Sequence, residues 1–71
     1  MLDFTVKFLG QGARPLRSEK VTAARDHDVG MLAVRRLSSS RVFARALVYE
    51  GEDLRFEVDR AGYRPATAAH P

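Results

Sequence analysis

The sequence predicts an α+β fold: a four-stranded antiparallel sheet, in the order strand, strand, helix, strand, strand, with one helix packed on one face. Three observations lead there. Apolar and polar residues alternate strictly over residues 2–8 and again over residues 54–59, the period of a strand with one buried face. From Arg25 the apolar spacing lengthens to that of a helix. Clusters of glycine, proline, serine and acidic residues separate these periodic stretches. A chain of 71 residues buries only about 60% of the surface its unfolded form exposes, so it holds one core. Residues 1–60 are assigned to a single α+β domain and residues 61–71 to a flexible C-terminal tail.

In the first strand Leu2, Phe4, Val6 and Phe8 point inward. It ends at Gly10, Gln11, Gly12, Ala13, Arg14 and Pro15, where glycines can take positive φ and proline cannot donate a ladder bond, so the chain turns into a hairpin. The second strand, residues 16–23, is more polar. Ser18 and Lys20 break any apolar face that starts at Leu16, leaving Val21 and Ala23 as the inward pair and suggesting an edge. In the helix, Val29, Leu32, Ala33 and Leu37 share a face that Met31 and Val34 widen. Asp26 can cap its N-terminus, Asp28 lies in the first turn, and Arg35 and Arg36 lie in the last, which matches the helix dipole. Gly30 costs roughly 1 kcal/mol relative to alanine in mid-helix and fits a close approach to a strand. Ser38, Ser39 and Ser40 end the helix by competing for backbone hydrogen bonds.

The third strand, residues 41–49, is apolar on both faces. Val42, Ala44, Ala46 and Val48 lie on one side, and Phe43, Leu47 and Tyr49 on the other, which implies that both sides are covered. A turn at Glu50, Gly51, Glu52 and Asp53 leads to the fourth strand, with Leu54, Phe56 and Val58 inward. Strands one and three are natural neighbours, giving the spatial order 2-1-3-4, with 2-1-4-3 as the alternative. A loop of three or five residues around Gly51 would set Val42, Ala44, Ala46 and Val48 on the core face beside Leu54, Phe56 and Val58. A two- or four-residue loop would flip that parity and point Arg45 into the core, at the expense of an unpaired buried charge, so the first register is favoured.

Composition narrows the functional classes. Hydrophobic residues make up 45% and charged residues 30% of the chain, the balance of a soluble globular domain. No apolar run approaches the roughly 18 to 20 residues that span a bilayer, and the start Met1, Leu2, Asp3, Phe4 does not read as a signal peptide, so a cytoplasmic protein is expected. The absence of cysteine removes disulfides, thiolate nucleophiles and thiolate metal sites. Net charge is +3, and the only lysines are Lys7 and Lys20, so arginine dominates the basic residues. That bias suits phosphate and interface recognition; ten alanines in so short a chain make a coding bias an equal explanation.

The segment DFTVKFLGQGARPLRSEKVTAA, the helix after it and the closing VYEGEDLRFEV resemble small bacterial proteins in which two hairpins flank one helix and a WDGDRLV-like turn joins the last strands. Tyr49 stands where an aromatic precedes that turn. The resemblance covers residues 3–58, rests on pattern, and implies the fold without an activity.

One helix covers one sheet face, so the other meets water or a partner. In the favoured register it displays Arg41, Phe43, Arg45, Leu47 and Tyr49 beside Arg55, Glu57 and Asp59. Aromatic and arginine residues framed by charge are what interface centres are enriched in. The leading expectation is therefore a non-catalytic protein-interaction module, homodimeric or bound to another protein, with Arg41, Phe43, Arg45, Leu47, Tyr49 and Arg55 as its interface. The alternative is single-stranded nucleic acid, held by Arg41, Phe43, Arg45 and Tyr49 as a stacking platform with Arg35 and Arg36 nearby. Against it, Glu57 and Asp59 repel phosphate, and the glycine-rich consensus of the RNA-recognition fold is missing.

Catalytic readings find no constellation. His27 lies between Asp26 and Asp28, but consecutive residues of a helix start point in different directions and serve capping better. His70 falls in the tail, and Ser38 to Ser40 have no positioned base. Gly10, Gln11 and Gly12 precede a proline and a strand, so they form a turn, not a phosphate loop. Glu50, Glu52 and Asp53 lack calcium-loop spacing. No cofactor, metal, membrane or small-molecule substrate is expected.

Overall fold

Phe4, Val6 and Phe8, buried at alternate positions of strand β1 (Leu2–Leu9), define the inner face of an antiparallel sheet. The structure, a computed structural model, describes residues 1–12 and 14–65. Strand β2 (Pro15–Ala23) returns beside β1, helix α1 (Asp26–Ser39) crosses the inner face, and β3 (Arg45–Glu50), β4 (Asp53–Asp59) and β5 (Gly62–Pro65) complete the sheet. The order is β2-β1-β3-β4-β5, so the expected 2-1-3-4 arrangement holds and one further strand is added. Residues 62–65 pair antiparallel with β4, so the sheet runs on into the segment read as tail from sequence. Alternation could not reveal a strand of four residues that includes Gly62 and Pro65. The rest of that segment, residues 66–71, lies outside the described residues.

Opposite residues of a pair share a face, so the β1–β2 register Phe4↔Val21, Val6↔Glu19 and Phe8↔Arg17 carries Glu19 and Arg17 of β2 onto the helix side. Glu19 accepts from Arg17 Nε at 2.8 Å and from Arg36 Nη1 at 3.0 Å, tying the last turn of α1 to the edge strand.

Helix α1 buries Val29, Ala33 and Leu37, an i, i+4, i+8 stripe, together with Gly30. Fully burying a valine or leucine contributes roughly 1.5–3 kcal/mol, and Val29 and Leu37 are both inaccessible. Val34 packs on the core's margin, while Met31 points outward, 48% exposed. The N-cap is Arg25, without a side-chain cap bond, in place of the expected Asp26. Asp26 is already helical and acts with Asp28 as first-turn charge, with Arg36 at the other end.

The third strand begins four residues later than alternation suggests. Ser40 Oγ accepts the backbone N–H groups of Val42 at 3.1 Å and Phe43 at 3.0 Å, which bends the chain before the ladder starts. Val42, expected in the core, is turned outward and is 61% exposed. Phe43 goes the other way: it packs against the core and stacks on Phe8 with ring centroids 4.9 Å apart and planes 18° apart.

Beyond Val42, the favoured core face is found, by a route the loop-length argument did not contain. Glu50 pairs with Asp53, so Gly51 and Glu52 form a two-residue loop, and Gly51 holds φ at +62°, the left-handed region that favours glycine. Val48 then pairs with Phe56 while Tyr49 pairs with Leu54, which leaves Arg55 as the extra residue of a bulge. That residue restores the parity lost in the even loop. Ala46, Val48, Phe56 and Val58 are buried together. Leu54 lies on the loop side of the bulge and is 41% exposed, contrary to its expected inward position.

Candidate interaction face

The face of the sheet turned away from α1 is built by register. Thr22, Lys20 and Ser18 of β2 stand beside Asp3, Thr5 and Lys7 of β1. Thr5, Lys7 and Leu9 stand beside Tyr49, Leu47 and Arg45 of β3, and these beside Leu54, Glu57 and Asp59 of β4. Among the described residues no further strand or helix lies over this face. At its centre Leu47 and Tyr49 are half-buried by their neighbours, and Leu54 extends the apolar stripe toward the β3–β4 loop.

Polar contacts fix the rim. Lys7 Nζ sits 4.8 Å from the centroid of the Tyr49 ring, a cation–π contact between β1 and β3. Arg45 Nη1 reaches Glu57 Oε2 at 3.5 Å, and Thr22 Oγ1 donates to Asp3 Oδ1 at 3.2 Å. Arg55, the extra residue of the bulge, meets Glu50 at 3.8 Å, away from this rim, because Glu50 stands beside Phe4 on the helix side. Thr5, Lys7, Tyr49, Gly51 and Glu52 line a shallow hollow at the loop end. Among the described residues no group of three or more His, Asp or Glu could hold a metal ion, and no helix is long and apolar enough to cross a membrane.

Of the residues expected at an interface, Arg45, Leu47 and Tyr49 lie together on this face. Phe43 does not: it belongs to the core, against Phe8. Arg41 lies exposed in the bend between α1 and β3, and Arg55 pairs with Glu50, which shares the helix side of the sheet with Phe4, so Arg55 does not join this face. The four arginines of the nucleic-acid alternative are divided. Arg35 and Arg36 ride on α1, across the sheet from Arg45, and Arg36 is engaged by Glu19. Thr5 and Lys7 were not among the expected interface residues, although strict alternation in β1 places both on the outer side.

No family model, no curated protein and no solved structure matches the chain.

Proposed function

We propose that this protein is a non-catalytic binding module that contacts protein through the open face of its sheet. The observation that carries the reading is the stripe Leu47, Tyr49 and Leu54, framed by Lys7, Arg45 and Glu57. An apolar, aromatic centre inside a rim of both charge signs suits a protein partner. The face carries Asp3, Glu57 and Asp59 against Lys7, Lys20 and Arg45, a balance that gives phosphate little attraction and leaves single-stranded nucleic acid as the weaker reading. The reading includes a cytoplasmic location.

A photoreactive residue at position 47 tests it, with one at position 31 on the outer side of α1 as the control, in cells expressing the full chain. Protein adducts from position 47 and none from position 31 are expected. Adducts from 31 alone overturn the reading. So does salt-sensitive binding of labelled single-stranded RNA that Arg45→Glu abolishes, because phosphate contacts weaken steeply with ionic strength.

A further inference from the structure

We propose that the occupant of the open face is a second copy of this chain, stacked face to face about a two-fold axis that runs along β3 through Leu47. This rests on the protein-binding reading above and adds the partner and its orientation.

One row of the sheet is self-complementary in charge. Lys7 stands opposite Leu47 in the β1–β3 ladder, and Leu47 stands opposite Glu57 in the β3–β4 ladder. A basic, an apolar and an acidic residue therefore lie side by side across three strands. A two-fold axis parallel to the strands keeps height along the strand and exchanges the two sides of β3. It sets Leu47 on its own counterpart and Lys7 of each copy over Glu57 of the other, so one contact is satisfied twice, as an isologous interface requires. An axis across the strands would set Lys7 on Lys7 and Glu57 on Glu57. Opposed like charges are strongly disfavoured at an interface, so the charge order selects the axis as well as the partner.

The row toward the β3–β4 loop agrees with this choice. Thr5, Tyr49 and Leu54 are in register, so Tyr49 meets its counterpart at the centre and Leu54 meets Thr5. In the third row Leu9 is buried and takes no part, and Arg45 approaches its own counterpart, a like-charge contact that counts against the axis and that the Glu57 of the same chain, 3.5 Å from the guanidinium, offsets in part. Two sheets that stack in this way cross at roughly 30°, which parts the two Arg45 side chains and leaves Leu47 on the axis. The molecule measures 31 × 30 × 20 Å. Its broad face is large enough for the roughly 800 Å² per partner of a standard interface.

Sedimentation equilibrium of the full chain tests the proposal, using Lys7→Glu, Glu57→Lys, the two changes in one chain, and an equimolar mixture of the single variants. Wild type is expected to dimerise, and each single variant to dimerise on the order of tenfold more weakly because like charges then face each other. The double variant and the mixture both recover, since each restores opposite charge at every contact. Circular dichroism checks each fold, and Lys7→Gln with Glu57→Gln replaces any variant that fails it. A monomeric wild type, single variants that dimerise like wild type, or a double variant that does not recover each overturns the proposal. Leu47→Glu separates the two levels. A dimer lost in Leu47→Glu but indifferent to charge reversal removes only the axis, whereas a dimer untouched by Leu47→Glu removes the face itself as the contact.

Discussion

Arg60, just past β4, donates from Nε to the carbonyl of Leu37 at the C-terminal end of α1, 3.3 Å away. Its Nη2 also serves the carbonyls of Ser40 and Phe43, so one guanidinium satisfies three acceptors where the chain leaves the helix and enters the bend. The Leu37 carbonyl belongs to the group that a helix end leaves without intrahelical partners, and the other two lie in the bend that follows. Replacing Arg60 with Ala should destabilise the fold by about 1–3 kcal/mol, the range for hydrogen bonds to a charged donor. Urea unfolding checks this as a lower midpoint with an unchanged slope. Arg60→Lys, with a single compact donor head, should recover only part of the loss.

Phe43→Ala removes the ring that stacks on Phe8. The ring is half-buried, so the loss should be about 2–3 kcal/mol, below the roughly 3–5 kcal/mol of a fully buried phenylalanine. Phe43→Leu should keep most of the stability. A variant as stable as wild type would show that Phe43 is not part of the core.

Glu19 is 14% exposed and lies between two arginine heads that are half open to solvent. Glu19→Gln should lower stability by about 1 kcal/mol at low salt. The difference should shrink toward zero in 1 M salt, where the Debye length falls to about 3 Å. Equal losses at both salt concentrations would mean that packing of the side chain, not its charge, ties α1 to β2.

Gly51→Ala isolates a backbone effect. Nothing lies within 4 Å of the added methyl group, but φ is +62°, so the variant should lose about 1–2 kcal/mol. Gly12→Ala, equally open and with no positive φ, serves as the control and should be nearly neutral.

Much of the fold is legible in the sequence because strand and helix periods are local. Phe4, Val6 and Phe8, and Phe56 with Val58, announce their faces by alternation, and Val29, Ala33 and Leu37 by helical spacing. The strand order follows from two hairpins around one helix. What escapes the sequence depends on a single hydrogen bond or a single inserted residue. Ser40 Oγ redirects Val42 and Phe43 in opposite senses, and nothing in the pattern of residues 41–49 marks where the ladder starts. The bulge at Arg55 corrects the parity of a two-residue loop and turns out Leu54, an outcome that loop counting alone does not contain. The core face came out correctly because burying Arg45 is too unfavourable, an energetic argument that holds whatever the geometry of the turn. The interaction face is half legible: alternation places Arg45, Leu47 and Tyr49 in β3 and Lys7 in β1 on it, whereas the inward turn of Phe43 and the helix-side place of Arg55 depend on the bend and the bulge.

The central claim is that contact covers the side of the sheet away from α1. Methyl NMR with a soluble paramagnetic probe, recorded on dilute and concentrated protein, reads this directly at Leu47 and Leu54 against Met31. The account predicts that the Leu47 and Leu54 methyls lose probe broadening as concentration rises while Met31 stays broadened. Protection of Met31, or Leu47 methyls as accessible in concentrated as in dilute protein, would contradict it.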